Sequence, residues 1–213
     1  DGGKVDIEIE KGVRVEMVGN FCYLGDIIDV NGGVETAISR RIQKAWCKFR
    51  ELRPILTRKG LAPKIKGRVY SACVRSTMVY GSETWPMKEE QEQKLERVET
   101  QMVRWMCGVK PADGIKSEEL RKKLGIEAVR VVLKKGRLRW WGHVERREDT
   151  HWLKKCMKFE VDGKKPVGRP RKAWMEVIRK DMKDWGLREE MALNRREWRK
   201  GLRRQNGHEP LGV

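Results

Sequence analysis

The chain has 213 residues, 38% of them charged, and its 49 lysines and arginines against 31 aspartates and glutamates give a net charge of +18. Because roughly 100 to 200 residues make one domain, this length predicts one domain or two small ones. No stretch approaches the roughly 20 apolar residues of a membrane span, and no apolar segment follows a basic start. We therefore expect neither a membrane-spanning segment nor a secretory signal peptide.

The first 33 residues have the pattern of a small antiparallel β-sheet. Apolar and charged residues alternate over residues 5–9 and again over residues 13–17, with Gly12 in the short connection, which is typical of a β-hairpin. A third strand is predicted over residues 21–28 and ends at the Asn-Gly-Gly segment that follows it.

From residue 34 onward, apolar residues recur at every third or fourth position, which predicts helices. The first is a long amphipathic helix over residues 34–52. Pro63 suits the first turn of a second helix. A third helix is predicted over residues 88–107, and Gly108 ends it.

The last part of the chain is predicted to be helical and basic. A short helix over residues 118–124 has Ser117 at its N-cap and Gly125 after its last turn. The other helices are predicted at residues 129–144, 173–185 and 195–204, and the residues from 206 onward form a disordered tail. The predicted fold is therefore mainly α: a helical bundle with a small N-terminal antiparallel β-sheet and a basic helical C-terminal extension.

The positive charge is concentrated near the C-terminus. Residues 1–30 carry three basic and seven acidic groups, whereas residues 121–213 carry 28 basic and 13 acidic groups. A surface that only served solubility would mix the two signs more evenly, so this excess indicates a polyanionic partner. Nucleic acid is the favoured partner, and an anionic membrane surface or an acidic protein is the alternative.

Catalytic and metal-binding patterns are scarce in this sequence. The five cysteines lie far apart and the three histidines lack metal-ligand spacing, so we expect reduced, mostly buried thiols and no metal site. No phosphate-binding P-loop, HExxH or GxSxG motif occurs. A weaker alternative is a metal-dependent nuclease that uses Glu148, Asp149 and His151.

A series of short motifs runs through the chain in order. The motifs are YLG at residues 23–25, ISRRI at 38–42, YGSETW at 80–85, RLRWWGHV at 137–144 and GRPR at 168–171. As a series they closely resemble the region that follows the polymerase palm in reverse transcriptases of LINE-type (non-LTR) retrotransposons, particularly the RTE-like endonuclease-reverse transcriptases. The resemblance covers residues 5–198, and it is specific because of the order of the motifs.

The resemblance implies that the parent protein is an RNA-directed DNA polymerase. Tyr23, Leu24 and Gly25 would lie close to the 3′ end of the primer, and the glycine would let the backbone approach the strand. The implied divisions are an end-of-palm, primer-grip-like sheet at 1–33, a thumb-like helical bundle at 34–110, a basic helical extension at 111–205 and a disordered tail at 206–213.

Four cations of the first predicted helix would face the phosphates of the primer-template duplex in such a thumb. They are Arg40, Arg41, Lys44 and Lys48. Their contribution to affinity would be independent of base sequence and sensitive to salt. The alternative is a basic helix face that only contacts solvent.

The chain also departs from the family pattern, because the YxDD-type motif with the catalytic aspartates is missing. Two-metal nucleotidyl transfer needs carboxylates that hold both ions at one point. We therefore expect no polymerisation by this chain and no cofactor within it, while Mg²⁺ is implied for the missing polymerase core. Asp1 in place of a methionine indicates a fragment of a longer protein.

A second group of cations precedes a pair of adjacent tryptophans. Lys134, Lys135, Arg137 and Arg139 come just before Trp140, the first of the pair. Aromatic rings among cations can stack on unpaired bases. Because adjacent helical residues point about 100° apart, at most one of the two rings is exposed. Packing of both rings in the core is the alternative.

A third basic group lies in the loop that contains GRPR. Its Gly-Arg-Pro core occurs in AT-hook peptides, whose arginine enters a narrow A·T minor groove. The alternatives are a turn that leads into the next helix and nonspecific contacts with phosphates. The phosphate contacts would come from Lys164, Lys165, Arg169, Arg171 and Lys172.

The predicted function is the nucleic-acid-binding part of a retrotransposon reverse transcriptase. Its partners would be primer-template or target DNA and element RNA, with no membrane and no small-molecule substrate, in the nucleus and cytoplasm. The alternative is a domesticated, stand-alone basic protein that binds nucleic acid or chromatin.

Overall fold

A computed structural model describes residues 6–10, 13–30, 32–159 and 172–204. These residues are mainly helical, with the strands confined to the N-terminal part, which confirms the predicted fold class. The strands are β1 (Asp6–Glu10), β2 (Val13–Glu16), β3 (Asn20–Tyr23) and β4 (Asp26–Asp29). The helices are α1 (Glu35–Leu56), α2 (Pro63–Val69), which continues as a π-helix (Tyr70–Arg75) into α3 (Ser76–Met78), α4 (Glu89–Cys107), α5 (Ser117–Leu124), α6 (Val129–Glu145), α7 (Trp152–Lys158), α8 (Trp174–Asp184) and α9 (Arg195–Arg204).

The strands form two separate antiparallel hairpins, β1 with β2 and β3 with β4. The single strand expected at residues 21–28 is therefore two strands joined by a tight turn, in which Tyr23 pairs with Asp26. Leu24 and Gly25 form this turn with φ angles of +49° and +84°. Positive φ at both positions is typical of the two-residue turns that match the twist of a hairpin. Leucine rarely adopts this conformation, so the sequence did not indicate a turn here.

The predicted helices all occur, with small differences at their ends. Gly108 and Gly125 adopt left-handed conformations directly after α4 and α5, as expected. Ser117 is the first residue of α5, and Lys116 occupies the N-cap position without a side-chain cap, so the predicted serine cap is wrong. Helix α7 was not predicted.

The helices enclose two hydrophobic cores. The first core contains buried side chains from Ala37 to Leu133 and is formed mainly by α1, α4, α5 and the helix that starts at Pro63. The second core contains side chains from Leu138 to Leu202 and is formed by α6, α8 and α9. Helix α6 contributes to both cores, so it connects them. The predicted domain boundaries stay predictions, and the first core extends past residue 110.

A buried ionic cluster joins α4, α6 and α8 beside these cores. The fully buried guanidinium of Arg137 donates to Asp181 at 2.8 Å and to Glu92 at 2.9 Å. Lys134 lies 3.7 Å from the same aspartate. Because unpaired charges are costly inside a protein, each member of this cluster depends on the others.

The five cysteines are free thiols. Cys107 is half-buried, and the other four, Cys22, Cys47, Cys73 and Cys156, are exposed. The expectation of mostly buried thiols is therefore wrong. In the parts of the chain that the structure describes, no helix has both the length and the apolar character needed to cross a membrane.

Candidate nucleic-acid interface

A basic groove of about 830 Å³ lies between α6, α9 and the turn at residues 81–84. Six cationic side chains line it, and Glu83 is the one acidic side chain among its lining residues in the described part of the chain. The cations are Lys135, Arg139, Arg146, Arg195, Arg199 and Arg203. We refer to this surface as the basic groove.

Helical periodicity places these cations together. Residues four apart lie on the same face of an α-helix, about 6 Å from one another along the axis. Arg195, Arg199 and Arg203 follow this spacing on α9. Lys135 and Arg139 follow it on α6. Each helix therefore presents one row of positive charge to the groove.

The buried indole of Trp198 holds α9 against α6. It is only 1% exposed, its Nε1 donates to the Leu138 carbonyl oxygen at 3.1 Å, and its ring centroid lies 5.4 Å from that of Trp141. Gly142 makes this approach possible, because a Cβ atom at that position would overlap the Trp198 ring. In the Trp-Trp-Gly-His segment, the second tryptophan and the glycine therefore serve packing.

The first tryptophan of that segment has a different environment. Trp140 is half-buried, lines the basic groove and stacks on His143, with centroids 5.5 Å apart and planes 20° apart. Arg147 lies 3.1 Å from His143 Nε2. The groove therefore combines a flat aromatic pair with two rows of cations.

The positive charges in the groove crowd one another. Burial lowers the pKa of Arg146, and Arg195 and Arg199 lower it further. The pKa of His143 is also lowered, first by burial and then by Arg147, Arg146 and Arg195. This shift favours the neutral imidazole over the protonated one. Crowded cations of this kind favour a bound anion.

Most arginines of the groove form no salt bridge within the described part of the chain. Among the described residues, no carboxylate forms a salt bridge with Arg139, Arg195, Arg199 or Arg203, and all four are exposed. Arg146 donates to the Ala192 carbonyl oxygen at 2.7 Å. These guanidinium groups are thus available to an external polyanion.

The cations predicted around Trp140 have different environments in the structure. Arg139 lines the groove, but Arg137 is buried in the ionic cluster described above and is not accessible to a phosphate. Lys134 forms an ion pair with Asp184 at 2.5 Å. Lys135 forms one with Glu127 at the same distance.

The cations predicted in the GRPR loop lie almost entirely outside the described residues. Lys172 is described, and its ammonium donates to the Met87 carbonyl oxygen at 2.8 Å. Next to it, the Trp174 indole donates to the carbonyl oxygen of Glu83 at 2.8 Å, which fixes the turn that borders the groove. The others, Lys164, Lys165, Arg169 and Arg171, and the predicted tail at 206–213 are not described.

The predicted primer-grip residues form the tip of the second hairpin. Tyr23 is 57% exposed and Leu24 is 77% exposed. Arg41 holds this tip, because it donates to the Gly25 carbonyl oxygen at 2.6 Å and lies over the Tyr80 ring at 4.2 Å. Arg41 is therefore buried and internally bonded, which differs from the expected phosphate-facing position.

The other predicted cations of α1 remain on its surface. Arg40 and Lys44 are exposed, and Lys48 forms a salt bridge with Glu51 at 2.7 Å.

The second hairpin lies close to the basic groove. The Asp26 side chain accepts from the Trp85 indole at 3.2 Å and lies next to Gly81, a groove residue. The hairpin tip and one end of the basic groove are thus neighbours.

The sequence prediction missed five arginine and histidine side chains of the groove: His143, Arg146, Arg195, Arg199 and Arg203. The arginines of α9 were recognisable from their spacing of four residues within a predicted basic helix. The involvement of His143 and Arg146 was not recognisable, because it depends on how α9 packs across α6.

The residues proposed for a nuclease do not form a metal site. No group of three or more His, Cys, Asp or Glu side chains in the described residues could hold a metal ion. Asp149 accepts from Lys154 at 3.2 Å, and His151 caps α7 by accepting from the Leu153 amide at 3.3 Å. The described residues therefore give the nuclease alternative no metal site.

Comparisons with known proteins give one similarity of note. The chain is 25% identical, over 208 aligned residues, to a Caenorhabditis elegans protein whose name describes it as an uncharacterized transposon-derived protein. The alignment covers 90% of this chain and 72% of that protein. No family model and no solved structure matches the chain. At this coverage the similarity extends over most of the chain and is not limited to one motif.

Proposed function

We propose that this chain is a nucleic-acid-binding region derived from the reverse transcriptase of a LINE-type retrotransposon, in which the basic groove binds the phosphate backbone. The observation that carries the binding function is the set of exposed arginines along α6 and α9 that form no salt bridge with any carboxylate the structure describes. The similarity to a transposon-derived protein supports an origin in a mobile element. The ordered motif series supports the narrower assignment to a reverse transcriptase.

The chemistry of the groove suits a polyanion better than a single anion. Guanidinium groups bind phosphate oxygens in a forked geometry and stay charged at all physiological pH values. Cations spaced at about 6 Å along a helix can contact successive phosphates of one strand. Such contacts carry no base information, so we expect sequence-independent and strongly salt-dependent binding.

The parts of the proposed interface have distinct roles. Arg40, Lys44 and the tip residues Tyr23 and Leu24 are exposed and stay within the proposal as further contacts to primer-template. We leave Arg41 and Arg137 out of the contact surface, because both guanidinium groups are bonded inside the protein. Polymerisation and its Mg²⁺ would belong to the parent enzyme.

The proposal is tested by measuring binding to a fluorescent oligonucleotide over a range of salt concentrations. In the triple variant Arg195→Gln, Arg199→Gln, Arg203→Gln, the slope of log K against log salt should become less steep by about 2 to 3, since each lost phosphate contact contributes about 0.7 to 0.9. The affinity at low salt should fall with it.

A matched control removes the same amount of charge elsewhere. Arg58, Lys59 and Lys64 are exposed and line no part of the groove, so their replacement by glutamine should leave the slope nearly unchanged. Equal effects of the two triple variants would show that only net charge matters. Salt-independent binding by the unmodified chain would refute the electrostatic account.

A further inference from the structure

The two walls of the basic groove differ in chemistry. The α9 wall presents Arg195, Arg199 and Arg203. The opposite wall presents the stacked rings of Trp140 and His143. Because its lowered pKa favours the neutral imidazole, His143 adds little charge to this aromatic pair. The α9 wall is thus suited to phosphates, whereas the α6 wall adds a flat aromatic pair to its cations Lys135 and Arg139.

Glu83 strengthens this distinction. Its side chain lies beside α6, with its Cγ 3.6 Å from the position of a Cβ atom at Gly136, and it lines the groove on the aromatic side. A carboxylate repels phosphates but accepts hydrogen bonds from amino groups and hydroxyls. The part of the groove next to Glu83 is therefore less favourable for phosphates than the arginine row of α9, and its aromatic pair can contact the bases of a bound strand.

Base faces are accessible only in an unpaired strand. In a duplex each base is covered above and below by its neighbours, so a side-chain ring cannot stack on it without unstacking the helix. The groove volume of about 830 Å³ falls in the range of sites that bind compact ligands, about 300 to 1,000 Å³. That space suits one or two splayed nucleotides and is too small to enclose a duplex.

We infer that the basic groove binds an unpaired strand of DNA or RNA, with a base stacked on the Trp140–His143 pair and the phosphates along α9. This inference rests on the proposed function and narrows its ligand. It also assigns different roles to neighbouring residues: the arginines of α9 provide affinity for any strand, and Trp140 provides the preference for an unpaired one.

The test compares three fluorescent probes of 12 nucleotides or base pairs: oligo-dT, oligo-rU and a DNA duplex. Trp140→Leu keeps an apolar side chain in place but removes the stacking face. It should weaken binding of the two single strands by about 5- to 150-fold, the range of measured base–aromatic stacking, and change duplex binding little. Trp140→Phe keeps a ring and should retain most of the affinity.

Trp152 offers a matched control, because it is also stacked on a histidine and is 64% exposed, but it lies outside the groove. Trp152→Leu should leave all three affinities unchanged. If the unmodified chain binds oligo-rU but not oligo-dT, the unpaired ligand is RNA. If it binds oligo-dT but not oligo-rU, the ligand is DNA. Both results support the inference.

Three outcomes would overturn the inference without rejecting the proposed function. The first is salt-dependent binding with equal affinity for single strands and duplex, and the second is equal weakening of all three probes by Trp140→Leu. A Trp140→Phe variant that binds as poorly as Trp140→Leu, while both melt like the unmodified chain, would also overturn it. By contrast, the absence of salt-dependent binding to every probe would reject the proposed function itself.

Discussion

The packing of Gly142 against Trp198 leads to a sharp prediction about stability. Replacing Gly142 with alanine would place a methyl group inside the Trp198 indole, which is buried and hydrogen-bonded to Leu138. The indole cannot move outward without lifting α9 from α6. We therefore expect Gly142→Ala to destabilise the second core and to weaken nucleic-acid binding, because the arginine row of α9 moves with Trp198.

The change in the free energy of unfolding is the sum of two destabilising contributions and one stabilising contribution. Overpacking a core costs about 1 to 3 kcal/mol. Losing the Trp198 hydrogen bond costs a further 0.5 to 1.5 kcal/mol, roughly. Alanine instead favours the helix over glycine by about 0.8 to 1 kcal/mol. The free energy of unfolding should fall by about 0.5 to 3.7 kcal/mol, which for a chain of this size lowers Tm by about 1 to 15 °C.

Helix α6 also offers a control variant that should change the free energy of unfolding in the opposite direction. A Cβ atom at Gly136 would make only ordinary contact with the Glu83 side chain, at 3.6 Å. Gly136→Ala should therefore raise the free energy of unfolding by about 0.5 to 1 kcal/mol through helix propensity. Both variants are compared by urea unfolding followed by circular dichroism. A Gly142→Ala protein as stable as Gly136→Ala would refute the packing argument.

Three further predictions concern the hairpin turn, the buried ionic cluster and the groove histidine. Leu24→Asn should raise the free energy of unfolding by about 1 kcal/mol, because asparagine tolerates the positive φ of this position; an unchanged urea midpoint would count against strain there. Arg137→Met should lower it by about 3 to 5 kcal/mol, and adding Glu92→Leu and Asp181→Leu should restore much of the loss. The pKa of His143, read from an NMR titration, should lie below about 6.5 and should rise when an oligonucleotide neutralises the arginines. Without a bound oligonucleotide, the lowered pKa means that the unfolded chain binds this proton more readily than the folded chain. His143 should therefore make stability decrease as pH falls below about 6.5, and His143→Gln should remove this pH dependence.

The helices were predictable because their signals are local. The apolar period of three to four residues, Pro63 in a first turn and glycines after α4 and α5 all act within a few residues of where they occur. The second hairpin was not predictable, because Leu24 adopts a conformation that leucine usually avoids. It is held there by Arg41 and Tyr80, which lie 17 and 56 residues further along the chain.

The candidate site was only partly predictable for a related reason. The sequence predicted Arg139 and Trp140 as site residues, and both line the basic groove. It also favoured Arg137, which has the same charge and lies only two residues earlier, but the Arg137 side chain forms ion pairs inside the buried cluster. The rotation of about 100° per residue separates these positions, but the sequence alone does not show which direction faces the interior.

The distribution of partners therefore matters more than the net charge of +18. Lysines and arginines near acidic residues are largely neutralised, as Lys134 is by Asp184 and Lys135 by Glu127. The arginines of α9 differ because no described carboxylate pairs with Arg195, Arg199 or Arg203. A count of charges alone would not distinguish the ion-paired lysines from the arginines of α9. Only the unpaired group can exchange water and counterions for phosphates without first breaking an internal ion pair, so it should dominate the salt dependence of binding.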